Sequence, residues 1–97
     1  MLTSKQRARL RGMANTIETI FQIGKSGVND SLIKSIDEAL EARELIKCRL
    51  LETAPVDVRE CAHDIAAQVG ADVVQVIGMR FVLYRKSQDN PQIDIGK

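Results

Sequence analysis

Ile23-Gly24-Lys25-Ser26-Gly27-Val28-Asn29 is the stretch from which the rest of this chain can be read. A short apolar run rich in β-branched residues (Ile17, Ile20, Phe21, Ile23) precedes it and predicts a strand near 17–23. Apolar residues at helical spacing follow it: Leu32, Ile33, Ile36, Ala39 and Leu40, with Asn29 in the N-cap position and an end near Arg43. Two glycines thus stand where a strand turns into a helix. Glycine permits positive φ and close approach by another molecule. A helix N-terminus adds unpaired N–H groups and the positive end of a dipole. Lys25 at the loop tip adds a full charge, and the combination suits a phosphate.

A tight strand-to-helix turn with an exposed lysine needs the same residues, so the loop by itself decides nothing about function. The glycines are too close for a Walker loop, and no third glycine completes a dinucleotide fingerprint. The pattern is most similar to the G-x-x-G clamp on nucleic-acid backbone in KH-type modules.

Upstream, Thr3 and Gln6 have capping-box spacing and start a helix near Ser4, with Leu10, Met13, Ala14 and Ile17 as its apolar stripe. At about 100° per residue, Lys5 and Arg9 fall on one side of that stripe and Arg7 and Arg11 on the other. Four cations in seven residues without an acid exceed what a solvated face usually carries.

Downstream, residues 45–51 alternate: Ile46, Cys48 and Leu50 point one way, Lys47 and Arg49 the other with Leu45 and Leu51. Glu52 to Pro55 form a loop, with Pro55 as a helix-start residue. Val58, Cys61, Ala62, Ile65, Ala66 and Val69 mark a third helix, closed by Gly70. Residues 73–77 are almost continuously apolar, as in a buried strand. Gly78-Met79 suits a two-residue hairpin turn, and residues 81–85 return, with Arg80 and Arg85 at either end. From Ser87 the chain is polar and carries Pro91; Gln92–Ile95 could form a short extended piece, the tail being otherwise mobile. The element order is α-β-α-β-α-β-β. It predicts a single α/β (α+β, two-layer) domain over residues 1–97, with a core of about 2–86. Its mixed four-stranded sheet has parallel neighbours joined through helices and a terminal antiparallel hairpin.

Net charge is +1, but its distribution is uneven: +4 over residues 1–27, −5 over 28–72 and +2 over 73–97. If the two ends meet, one face is positive and can steer toward nucleic acid. No apolar run approaches the ~18 residues of a membrane span, and the charged start is unlike a signal peptide, which makes the cytoplasm the expected location. Cys48 and Cys61 read as buried thiols and His63 as an exposed helix residue; neither a metal site nor a cofactor site is expected. Nor is an enzyme, since no nucleophile–base pair or paired-carboxylate motif stands out.

The opening Leu2-Thr3-x-x-Gln6…Leu10-Arg11, the loop Ile23-Gly24-Lys25-x-Gly27-Val28, the run Glu44-Leu45-Ile46-Lys47 and the ending Val74-Gln75-x-Ile77-Gly78…Leu83-Tyr84-Arg85 together resemble the YhbY-like CRM domain. The name stands for chloroplast RNA splicing and ribosome maturation. The match covers roughly residues 2–86, with four motifs in order; Cys48 stands where the family often has valine. The resemblance implies an RNA-binding domain with a sheet like that of the C-terminal domain of translation initiation factor three. With one copy and no plastid-type transit segment, the chain looks like the free-standing bacterial form. The resemblance further implies that this form associates with precursors of the large ribosomal subunit. RNA, ribosomal RNA in such a precursor, is the expected partner of a monomer that touches no membrane.

The residues expected to carry binding are Gly24, Lys25, Ser26 and Gly27 of the loop and Lys5, Arg7, Arg9 and Arg11 of the first helix. Lys47, Arg49, Arg80 and Arg85 of the strands complete the set. Phe21, Phe81 and Tyr84 are the only aromatics, so backbone recognition with low sequence specificity is expected rather than base stacking. The alternative is a protein-interaction module that docks a basic partner through the acidic side of the second helix.

Overall fold

The computed structural model describes residues 2–94. Its elements are α1 (Ser4–Ala14), β1 (Thr19–Ile23), α2 (Asp30–Arg43), β2 (Leu45–Leu50), α3 (Val58–Val69), β3 (Asp72–Ile77) and β4 (Arg80–Tyr84). The expected element order holds, and local chemistry sets most boundaries. Thr3 Oγ1 accepts the Gln6 N–H and Gln6 Oε1 accepts the Thr3 N–H, closing the capping box of α1. Asn29 Oδ1 accepts the Leu32 N–H at the start of α2. Gly70 ends α3 in the left-handed conformation at φ +68°. The start of α3 differs from expectation: Asp57, not Pro55, caps it, accepting the N–H groups of Arg59 and Glu60. An anionic acceptor satisfies two orphan donors there, which proline has no side chain to do. Ile17 lies past the end of α1, and the first strand begins only at Thr19.

The sheet order is β1-β2-β4-β3, with β1 and β2 parallel and β4 antiparallel to both its neighbours. This corrects one expectation. The apolar strand β3 is an edge, and the returning strand β4 is inserted between β2 and β3. β4, like the other inner strand β2, accordingly has buried residues on both faces: Phe81 and Leu83 toward one, Val82 and Tyr84 toward the other. Ile77, at the end of β3, is 62 % exposed.

Two cores result. On one face α2 and α3 cover Ile23, Ile46, Cys48, Leu50, Phe81 and Leu83. On the other, α1 covers only part of the sheet, packing Leu10 and Ala14 on Leu45, Val74, Val82 and Tyr84. The helices therefore occupy both faces, and α1 adds a partial third layer to the expected two. It also brings the two basic ends of the chain together, since α1 packs on strands β3 and β4. The thiols are buried as expected: burial first, and then the nearby Cys61 thiol, pushes Cys48 up to about 12, while burial and then the Asp64 carboxylate push Cys61 up to about 11.

The segment after β4 is not a loose tail. Glu44 is fully buried with a positive φ of +67°, the sole non-glycine with positive φ among the described residues. Its carboxylate accepts the N–H groups of Ser87 at 2.8 Å, Ile93 at 2.7 Å and Gln92. Glu41 accepts the Ser87 hydroxyl and the N–H groups of Gln88 and Asp89. Residues 87–93 are thus strapped to the end of α2, and Ile93 packs into the α1 core. Of the expected extended piece, Ile95 lies outside the described residues.

Candidate nucleic-acid interface

Because α1 covers only part of its face, the sheet register leaves one row of side chains uncovered at the loop end and a second row only partly covered. Gln22 pairs with Arg49, Arg49 with Arg80, and Arg80 with Ile77, so one row crosses all four strands. All four residues are exposed. The next row, Thr19–Lys47–Val82–Gln75, runs beneath the end of α1. None of the eight side chains is acidic. Arg49 and Arg80 are direct antiparallel partners, an arrangement in which like charges oppose folding. No described residue forms an ion pair with Lys47, Arg49 or Arg80; among the described residues the one ion pair is Arg85–Asp37.

The glycine loop leaves β1 directly after this row. Gly27 donates its N–H to the Gly24 carbonyl at 2.9 Å, so the loop is a closed turn and that amide is already bonded. Both glycines have reasons inside the fold. Gly27 stands at φ +64°, and a Cβ there would lie 3.4 Å from Pro55; one at Gly24 would lie 3.3 Å from Leu51. Lys25 and Ser26 are exposed at the tip.

The helical cations divide. Arg7 is half-buried beside His63 and Asp72, with its Nε buried and without a hydrogen-bond partner. Arg11 is exposed one turn further on, in line with Asn15 at the helix end. Lys5 and Arg9 are exposed on the opposite flank, the side on which Met13 lies near Gln92 and Ile93.

Arg85 stands apart from the other expected site residues. Its guanidinium bonds the Asp37 carboxylate and the carbonyls of Asp37 and Val69, tying β4 to α2 and α3. It is a structural clamp, engaged by its own chain. The structure therefore gathers Lys25, Ser26, Lys47, Arg49 and Arg80 toward one end of the sheet, with Arg11 beside it, and leaves Arg85 out.

Sequence reasoning did not single out Gln22, Gln75, Ile77 or Asn15. Between the last turn of α1 and the sheet lies a cleft of about 150 Å³, lined by Ala14, Asn15, Lys47, Gln75, Arg80 and Val82 with Ile77 beside them. Alternation within β3 alone could have put Gln75 and Ile77 on one face; the register to Arg80 required the strand order. No group of three potential metal ligands occurs among the described residues, and no helix among them is long and apolar enough to cross a membrane.

Comparison with known proteins gives a consistent picture. The family model for the CRS1/YhbY (CRM) domain matches residues 2–85. A relative from Bacillus subtilis, named probable RNA-binding protein YqeI, is 46 % identical over 95 residues, which are 98 % of this chain and 99 % of the relative. A probable RNA-binding protein from Methanocaldococcus jannaschii is 35 % identical over 86 residues, 87 % of this chain and 63 % of its own length. The solution structure of hypothetical protein SAV1595 from Staphylococcus aureus, described as a putative RNA binding protein, superposes with a TM-score of 0.80 at 46 % identity. It covers 97 % of this chain and 98 % of its own. By the match of the family model across nearly its whole length, this chain belongs to the CRS1/YhbY (CRM) domain family.

Proposed function

We propose that this protein binds structured RNA through its phosphate backbone, on the uncovered end of the α1-facing sheet, and acts on precursors of the large ribosomal subunit. The observation that carries the reading is the Gln22–Arg49–Arg80–Ile77 row: two arginines held opposite each other, exposed and without an acidic partner. Such a pair opposes folding in the free protein and is relieved by a polyanion. Lys47 and Arg11 extend the positive surface, and Lys25 and Ser26 bring the loop tip and the N-terminus of α2 to its border. The relatives named as RNA-binding proteins support the same partner. Contacts of this kind position a backbone and carry little sequence information.

The protein-docking alternative loses support from the geometry of α2. Asp37 is engaged by Arg85, and Glu41 and Glu44 by the segment 87–93, so the acidic side that would meet a basic partner is largely occupied. The decisive experiment is a salt titration of binding to a structured RNA with the parent and with Arg49→Gln/Arg80→Gln. Loss of two phosphate contacts lowers the log–log slope by about two. A parental slope and affinity in the double variant would move the RNA surface elsewhere. Cross-linking in cells followed by sequencing of the attached RNA tests the ribosomal assignment separately.

A further inference from the structure

The cleft beneath the end of α1 has a construction that backbone binding does not require. Its floor is apolar, made by Ala14 and Val82, which are 0 % and 3 % exposed. Its walls carry two side-chain amides, Asn15 from the helix end and Gln75 from β3. Neither amide has a hydrogen-bond partner among the described residues, although Gln75 is half-buried. Its mouth carries Lys47 and Arg80. We propose that this cleft takes a single unpaired nucleobase of the bound RNA, an inference that rests on the RNA-binding reading above.

The chemistry of a nucleotide fits each part. A base has a flat face suited to an apolar floor and a polar edge suited to amide walls. At about 150 Å³ the cleft suits one base and not a base pair. The phosphates on either side of an extruded nucleotide fall to the cations at the mouth, Lys47 and Arg80, with Arg49 next in the row. Each amide offers both donors and an acceptor, so the walls can meet any base edge. The cleft therefore reads whether a nucleotide is unpaired rather than which one it is. Extrusion is least costly where the base is already unpaired, which makes a bulge or loop the favoured target.

The test uses two RNA hairpins that differ by one bulged nucleotide, titrated with the parent and with Asn15→Ala/Gln75→Leu. That double variant keeps every charge, and Asn15 has ordinary helical φ, so alanine fits there. The parent is expected to favour the bulged hairpin by roughly tenfold, and the variant to bind both alike with an unchanged salt slope. In the parent, the side-chain amide resonances of Asn15 and Gln75 should shift with the bulged hairpin and not with the paired one, a reading independent of the variant's folding. Equal binding of both hairpins by the parent, or a bulge preference that survives in the folded variant, overturns the base site while leaving backbone binding intact. No binding of either hairpin by the parent overturns both.

Discussion

Replacing Glu44 by glutamine should cost far more than a change of one atom suggests. In the parent, one carboxylate oxygen accepts the Ser87 N–H and the other accepts those of Gln92 and Ile93. Glutamine keeps one acceptor and places an NH2 group where the other stood. In either orientation at least one backbone N–H faces a donor, and the surviving bonds lose their charge. Hydrogen bonds to charged groups contribute about 1.5–3 kcal/mol each, so the expected loss is about 2–4 kcal/mol. The loss is bounded, because residues 87–93 can detach as a unit; beyond that point Glu44 is wet and nothing further is lost. Glu44→Ala should therefore be little worse than Glu44→Gln. Glu44→Gly should recover about 1 kcal/mol relative to alanine, by relieving the positive-φ backbone at +67°. In a domain of this size the glutamine variant should melt roughly 10–25 °C lower. Thermal melts and hydrogen exchange at Ser87, Gln92 and Ile93 check this. A melting point within a degree or two of the parent, with those amides still protected, would refute the account of the strap.

Acid provides a companion prediction. The Ser87 hydroxyl, then the Gln88 and Asp89 amides, hold the Glu41 carboxyl below its ordinary value. Burial pushes the Glu44 carboxyl up, but the Ser87, Gln92 and Ile93 amides, with Lys86 nearby, outweigh it and leave it lowered. Depressed carboxyl values mean stability fully present above the unfolded value and lost as pH falls through the folded ones. A melting-point series below about pH 4.5 should show this loss, and Glu44→Gln should lessen it. Cys48→Asp should fail to fold, since it places an unpaired charge at a fully buried position, whereas Lys47→Ala should melt like the parent; circular dichroism decides both. Both thiols, held up at about 12 and about 11, should resist a thiol-specific reagent at pH 8 until denaturant is added. Lys25→Asp/Ser26→Asp should stay folded and lose RNA binding by anisotropy; parental affinity would make the glycine loop a turn and nothing more.

Where the fold was legible in the sequence, a short-range rule was at work. The Thr3–Gln6 capping box, the Asn29 cap, the Gly70 stop, the Gly78 turn and the in–out alternation of β2 each involve residues a few positions apart. The misread features depend on partners far along the chain. β3 and β4 are both apolar, and nothing local says which is central. Glu41 and Glu44 looked like an acidic helix face because the amides they bind lie more than forty residues away. Arg85 looked like one more basic strand residue until Asp37 and the end of α3 came beside it. The candidate site was half legible for the same reason. Lys47 and Arg49 alternate visibly, but their union with Arg80, Gln22 and Ile77 exists only in the register. The cleft exists only because α1 stops at Ala14, short of the sheet's end.

The insertion of β4 between β2 and β3 has a consequence for how the chain is made. As the protein emerges from N- to C-terminus, β1 and β2 can pair and α2 can pack on them. β3 then appears with no sheet neighbour, because its partner has not been synthesised. β2 meanwhile offers an open edge of backbone N–H and C=O groups, and α1 lacks Val82 and Tyr84, half of the buried sheet residues it packs on. Only when residues 80–84 arrive do both gaps close in one step. A nascent chain halted near residue 79 is therefore an unfinished object with two sticky strands. Completion of the sheet and creation of the Arg49–Arg80 pair are the same event, so no partly made chain carries the assembled basic row.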